Sequence, residues 1–562
     1  MKLEQHVEGI KNKILSAFTK QLSSEGLKEK DYSGANERLK SLIENLIGET
    51  ASYEKARLKL LDEFTFTLFN RIAAIKVMEA KTLIPETIIP RANNGDRSFA
   101  HKLWLEQNPH KRNLPFEALD EFITAQFRSL ANEINLFSED YLYDKIPNVF
   151  DLKEIIDLFN LIEETEWKSD DIMGWLYESY NKTELSEFKE SKAKIEYDKV
   201  SLSSQVYTPK WVVKFLVDNS LGKLYLEMYP DSALKEKYLI ANAPKTRTRE
   251  PKKPEEIKLI DPAPGSGNFL LYAFDFFFDI YLDQGYDEDD IPKLIIENNL
   301  YGIDIDDRAI QICQLGLYIK AKEKNRSIKI EKFNIVSSDF YLPEYDNVKN
   351  VFEADQSLDS GSVKLIKNVW EDLRFAYKFG SLLSIEEKFN NQFDKLLKTK
   401  DTLFGDVHIE EFSNFRNEFF PRLKSVVAKY SNGKGNKFLK SKTIDSFSFL
   451  EIISAKYDVA VANPPYTDSS DFGAELKKFI DANYKTPYKF HSNLYSCFIK
   501  KCIDLVDENG KIVMIHPHTF MFIKSFEDIR KYILEKLHIN IFVDYGLDRV
   551  NLFFPGILVE AV

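Results

Sequence analysis

Lys258-Leu-Ile-Asp261-Pro262-Ala-Pro264-Gly265-Ser-Gly267-Asn-Phe-Leu270 holds the change from strand to helix on which the reading of this chain turns. A short apolar run ends at an acid, two glycines follow within six residues, and an apolar helical pattern begins at once. Open α/β sheets bind ligands at such a place. Glycines there admit a ligand close to the backbone, and the helix amino end favours a carboxylate or phosphate. The dinucleotide fingerprint needs a third glycine at position 270, which is Leu270, so a nicotinamide or flavin enzyme is disfavoured.

Outward from this loop the pattern alternates. Strand Lys258–Ile260, helix Phe269–Tyr281, strand Leu300–Ile303, helix Arg308–Ala321 and strand Phe333–Val336 predict an α/β fold with an open parallel sheet. Residues 345–450 are helical and charged and read as an insertion. Strand Tyr457–Ala462, helix Tyr495–Leu505, strand Lys511–Ile515, helix Phe526–Lys536 and strand Ile539–Asp544 resume the alternation. Before residue 200 the pattern is helical: Leu61, Phe64, Leu68, Ile72 and Ile75 recur at spacings of three and four, a core stripe. Trp167, Trp175 and the run to Tyr180 read as packing. The expected domains are residues 1–200, 201–344, 345–450 and 451–562.

With 562 residues the chain exceeds one core, and its 44% hydrophobic and 30% charged residues suit a folded protein. Three cysteines, Cys313, Cys497 and Cys502, give neither a disulfide framework nor paired zinc spacing. No apolar run approaches the ~20 residues of a membrane span, so a cytoplasmic protein without membrane or metal is expected. The net charge of −12 means that any nucleic-acid surface must be local. Two loops offer it: Lys245 to Lys253 with Arg247 and Arg249, and Lys434 to Lys442.

The second strand ends in Tyr301-Gly-Ile-Asp304-Ile-Asp306, where an acidic side chain can accept hydrogen bonds from both hydroxyls of a ribose. Asp304 is assigned that role, and Asp306 reads as the cap of the next helix. The third strand ends in Ser337-Ser-Asp339-Phe340, so Asp339 can accept a bond from an adenine amino group while Phe340 packs on the ring. The most specific signal is Tyr457-Asp-Val-Ala-Val-Ala-Asn463-Pro464-Pro465-Tyr466. Two prolines end the strand ladder and aim the Asn463 side chain and the Pro464 carbonyl into the sheet crevice. Two acceptors binding both N–H groups of an aromatic amine would free its lone pair to attack a sulfonium methyl in line. Tyr466 would stack on a base taken out of the helix.

These residues together resemble amino-methyltransferases of the gamma arrangement, in which the cofactor half precedes the catalytic half. Gln205-Val-Tyr207-Thr208-Pro209-Lys-Trp211 is similar to the segment that precedes the glycine loop in that family. The resemblance implies a Rossmann-like methyltransferase sheet with an N-terminal helical domain and a helical insertion. It implies S-adenosyl-L-methionine as cofactor, held by Tyr207, Thr208, Pro209, Asp261, Pro262, Gly265, Gly267, Asp304, Asp339 and Phe340, with Asn463, Pro464, Pro465 and Tyr466 catalytic. The stretches Asp170–Tyr177, Val217–Gly222 and Gly285–Pro292 are similar to the PglX methyltransferases of BREX phage-defence systems, and the chain also resembles Eco57I-like restriction-modification methylases. That implies a site-specific adenine methylase acting on double-stranded DNA beside other phage-defence proteins.

Two departures are mild: Pro264 before Gly-Ser-Gly, and Ser204-Gln-Val-Tyr-Thr-Pro in place of Thr-Gln-Phe-Thr-Pro. A third concerns the end. The sequence stops at Leu558-Val-Glu-Ala-Val562, where the family continues into a target-recognition domain, so a catalytic half cut through a strand is expected. Competing readings are a catalytically incomplete chain that binds cofactor or partners only, an RNA adenine methyltransferase and a protein glutamine methyltransferase. Glu187-Phe-Lys189 and Glu196-Tyr-Asp198-Lys199 have the residue types of a nuclease but read as a solvated helical face.

Overall fold

A computed structural model describes residues 2–203, 208–355, 358–400, 409–431 and 437–544. The chain divides into two compact units: one draws on the stretches up to Lys182, Gln314–Glu331 and Ser431–Ser441, the other on Thr183–Cys313, Lys332–Tyr430 and the residues from Lys442 onward.

The first unit is helical and is organised around Tyr53–Ala80. The stripe Leu61, Phe64, Leu68, Ile72 and Ile75 is core, but the burial goes further: every residue from Glu63 to Ala80 is buried. A helix enclosed on all sides must satisfy its polar groups internally. Arg71 donates through Nε to the Leu136 carbonyl at 2.8 Å and pairs with Asp144. Glu79 binds Lys76 and accepts the backbone N–H groups of Thr87 and Ile88. Aromatic rings fill the remaining space, Phe66 on Tyr180 at 4.9 Å and Phe69 on Phe159 at 5.3 Å, with Trp167 fully buried beside Phe159. The tryptophan and tyrosine run is packing, as its density suggested.

The second unit contains the sheet. Five parallel strands, β1 (Leu259–Asp261), β2 (Leu300–Asp304), β3 (Asn334–Ser337), β4 (Tyr457–Ala462) and β5 (Val506–Met514), stand in the order β3-β2-β1-β4-β5. Their register pairs Asp261 with Gly302, Asp304 with Ser337 and Ala462 with Met514, which brings the carboxyl ends to one edge. The predicted α/β alternation holds to within a few residues at each boundary. Helices Asn268–Asp283, Asp307–Lys324 and Leu494–Leu505 follow β1, β2 and β4, the last after the shorter helix Ala474–Tyr484. Purely parallel strands are buried on both faces, and β4 is buried at all six positions.

One expectation changes. Residues 539–544 form no strand; no described strand pairs with them, and a parallel strand exists only by its ladder. The helical stretch between β3 and β4 falls, over Lys332–Tyr430, in the unit of the sheet. No described helix is long and apolar enough to cross a membrane.

Candidate active site

Strand order reverses between β1 and β4, because the chain runs from β1 toward β2 and β3 on one side and from β4 toward β5 on the other. Such a switch point opens a crevice at the carboxyl ends of the strands, and the predicted motifs fall there. Asp261 closes β1 fully buried; one carboxylate oxygen accepts the Ala263 N–H at 2.9 Å, and the other, Oδ2, has no partner among the described residues. Gly265 follows with φ +54° and faces open space where a side chain would begin. Gly267, φ +91°, caps helix Asn268–Asp283, and a Cβ there would lie 2.5 Å from Cys313 Sγ. Pro264 is accommodated: its carbonyl accepts the Gly267 N–H at 2.8 Å.

Asp304 closes β2 and accepts two backbone N–H groups, from Asp306 at 2.9 Å and from Gly265 at 3.0 Å. The acid and the glycine loop are therefore tied directly together. Burial pushes the carboxyl of Asp304 up to about 7 and that of Asp261 up to about 8, and the charge of Asp304 adds to the latter. Asp306 bonds the N–H and guanidinium of Arg308, the capping role expected of it, and accepts the Ser201 hydroxyl at 3.0 Å. Half-buried Asp339 follows β3, its carbonyl accepting Lys442 Nζ at 2.7 Å. Phe340 is fully buried and packs on Phe449 with ring centroids 5.6 Å apart.

β4 ends at Ala462, and Asn463 stands next to it, half-buried, with Pro464 and Pro465 buried. Asn463 Nδ2 donates to Thr208 Oγ1 at 2.9 Å, and the Tyr466 hydroxyl donates to Asn463 Oδ1 while lying 3.2 Å from the Ile515 carbonyl. Thr208 is itself buried. Thus a residue of the Tyr207-Thr208-Pro209 segment and the residue after β4, 255 positions apart, share one hydrogen bond. Tyr207 lies outside the described residues; Pro209 caps helix Lys210–Val217. No donor among the described residues takes the Pro464 carbonyl.

The sequence did not single out Ser338, Tyr341, Tyr377, Gly380 or Ser381, which border the same strand ends. Ser381 Oγ donates to the Pro262 carbonyl at 2.6 Å. A glycine breaking a helical pattern at 380 was the available signal.

In the Lys245–Lys253 loop, Arg247, Arg249 and Lys252 are taken up by partners within the protein. Arg249 is bound to Glu227 and to the Asn509 carbonyl, Arg247 to the Met228 carbonyl, and Lys252 to Asp458. Asp458 is the second residue of β4, near the end opposite Asn463. Residues 432–436 lie outside the described set, and Lys442 is buried. Glu196 accepts the N–H groups of Glu475 and Leu476 at the start of helix Ala474–Tyr484, a structural use rather than a nuclease ligand.

Residues 298–553 match the family model described as Eco57I restriction-modification methylase. The adenine-specific methyltransferase BrxX of Escherichia coli O9:H4 (strain HS) is 26% identical over 85% of this chain and 41% of its own length. The adenine-specific methyltransferase PglX of Lacticaseibacillus casei (strain Zhang) is 26% identical over 93% of this chain and 45% of its own. The type II restriction enzyme and methyltransferase RM.Eco57I of Escherichia coli is 22% identical over 93% of this chain and 45% of its own. The chain thus spans less than half the length of these relatives.

Proposed function

We propose that the chain, of which residues 298–553 match the Eco57I restriction-modification methylase model, is the cofactor-holding and catalytic portion of a DNA adenine methyltransferase. It transfers a methyl group from S-adenosylmethionine to the exocyclic amino group of adenine in duplex DNA. The observation that carries this reading is the Asn463–Thr208 hydrogen bond at the switch point, which joins the segment assigned to the cofactor to the motif assigned to the amine. The relatives' names, two adenine-specific methyltransferases and a type II restriction enzyme and methyltransferase, support adenine as the target, and we place the chain in a bacterial cytoplasm, in a phage-defence or restriction-modification setting.

The crevice suits the cofactor on its own chemistry. Asp304 retains a second lone pair on each oxygen for two ribose hydroxyls, and Gly265 leaves its face open. Asp261 Oδ2 and Ser338 Oγ, both fully buried and without partners among the described residues, await a donor or acceptor. Pro262, Gly265 and Gly267 with Thr208, Pro209 and Tyr207 complete the proposed holding set, and Phe340 supports it from behind rather than by contact.

When bound, S-adenosylmethionine supplies a methyl group already activated on a sulfonium. Asn463 Oδ1 and the Pro464 carbonyl accept the two N–H bonds of the adenine amine, drawing it toward pyramidal geometry. Thr208 and Tyr466 bracket the Asn463 amide and hold it in one orientation, and Pro465 fixes the backbone. Orientation of this kind supplies much of a rate enhancement. Tyr466 presents its ring to the flipped base. The expected domain roles are a helical portion over residues 1–200, a cofactor half over 201–344, the insertion over 345–450 and a catalytic half over 451–562.

The test is transfer of labelled methyl from S-adenosylmethionine to duplex DNA, with RNA and protein acceptors in parallel. Asn463→Ala is expected to lower DNA methylation by about a hundredfold or more, the scale for losing one preorganised hydrogen-bonding group, while leaving cofactor binding within a few fold. Equal transfer by the variant refutes the catalytic assignment.

A further inference from the structure

The stretch between β3 and β4 sends one short segment, Ala376–Phe379 with the turn Gly380–Leu382, back across the carboxyl ends of the strands. It meets the loop after β1 through Ser381, which is 4% exposed and donates to the Pro262 carbonyl at 2.6 Å. It meets the loops after β2 and β3 through Gly380, where a Cβ would lie 3.4 Å from Ile305 Cβ and 3.5 Å from Ser338 Oγ. The Tyr377 ring stands 5.9 Å from that of Tyr341, which follows Phe340, and 5.9 Å from that of Tyr197. One segment therefore touches the three loops that present Asp261, Asp304 and Asp339.

The segment is also held rigidly from behind. Phe379 stacks on Phe479 at 3.6 Å, and the Tyr484 hydroxyl donates to the Leu382 carbonyl at 2.7 Å. Lys501, with no exposed surface, donates to the Leu383 carbonyl at 2.9 Å and pairs with Glu386 at 2.8 Å. A buried ammonium is retained only where its partners are fixed. Ser338 Oγ, beside Gly380, and Asp261 Oδ2 are buried polar atoms of the strand-end loops without partners among the described residues.

We infer that Tyr377–Leu382 is a wall of the cofactor pocket, with Ser381 a positioning residue that fixes the glycine loop through the Pro262 carbonyl. Gly380 keeps the space beside Ser338 clear, and the Tyr341 and Tyr377 rings border the purine. The left-handed φ of +54° at Gly380 excludes a Cβ without strain. The inference rests on the reading that the crevice takes S-adenosylmethionine, and deepens it.

Two measurements on the full chain separate the inference from that reading. In hydrogen exchange of the unaltered protein, S-adenosylhomocysteine is expected to protect the amides of residues 376–383; binding without protection there overturns the wall. In calorimetry, Ser381→Ala is expected to weaken S-adenosylhomocysteine binding about tenfold, as for loss of one buried hydrogen bond, with Ser381→Thr recovering most of it. In turnover the cofactor KM rises while the DNA KM stays put. Affinity unchanged within twofold in a folded Ser381→Ala variant refutes the positioning role. No binding by the unaltered protein refutes the cofactor reading itself, and the wall with it.

Discussion

Gly265 and Gly267 stand in one loop but answer different constraints. A Cβ at Gly267 would overlap Cys313 Sγ at 2.5 Å with φ +91°, whereas one at Gly265 meets nothing within 4 Å. Gly267→Ala should cost about 3 kcal/mol, left-handed strain plus overpacking, and Cys313→Ala in the same chain should restore part of it. Gly265→Ala should cost about 1–2 kcal/mol from strain alone. Denaturant midpoints of the four chains check this; equal losses at both glycines refute it. Asp261 makes a pH prediction. Its folded carboxyl is raised from 3.8 to about 8 by burial, so the folded state keeps a proton that the unfolded state releases. The stabilisation is full below pH 3.8 and is lost as pH rises toward about 8. Asn at 261 can still accept the Ala263 N–H while carrying no charge, so Asp261→Asn should flatten the fall in melting temperature between about pH 6 and 8. A slope as steep as that of the unaltered protein refutes the assignment.

At the scale of elements, β1 to β4 and the helices after β1 and β2 were legible because strands of a parallel sheet are continuous apolar runs bounded by turn residues. The order of strand-end acids was legible for the same reason. Pairings across the chain were not: Thr208 meets Asn463 and Ser381 meets Pro262 at separations of 255 and 119 residues, which no local pattern encodes. Nor does position alone encode which ring Phe340 meets, which is Phe449. The turn Phe116-Glu117-Ala118 was invisible for another reason. Three consecutive residues take left-handed φ of 46°, 55° and 56°, yet none is a turn former. The conformation is imposed from outside, by Arg97 on the Glu117 carboxylate and His101 on its carbonyl. Ala118→Gly, which relieves one such residue, should stabilise the protein by about 0.5–1 kcal/mol after the added unfolded-state entropy, read from the denaturant midpoint. Destabilisation would mean the turn is not strained.

At the scale of the molecule, charge decides how nucleic acid could be met. With a net charge of −12, long-range attraction to phosphate is absent, and binding must come from local cations that displace counterions. The Lys245–Lys253 loop looked suited to this in the sequence. In the fold Arg249 binds Glu227 and Lys252 binds Asp458, one residue into a strand whose far end carries Asn463. Five residue steps along β4 from Asp458 to Asn463 put the two roughly 17 Å apart, beyond a Debye length at physiological salt, about 8 Å. A charge so placed can neither touch a duplex seated at the crevice nor steer it. Arg249→Gln with Lys252→Gln should therefore leave the affinity for duplex DNA within twofold. The slope of log affinity against log salt should not change, whereas each lost phosphate contact would flatten it by about 0.9. The same variant should melt at lower temperature, because Asp458, only 5% exposed, loses one of its two donors. A flatter salt slope without lowered melting would place this loop on the DNA and move the recognition surface to the opposite edge of the sheet.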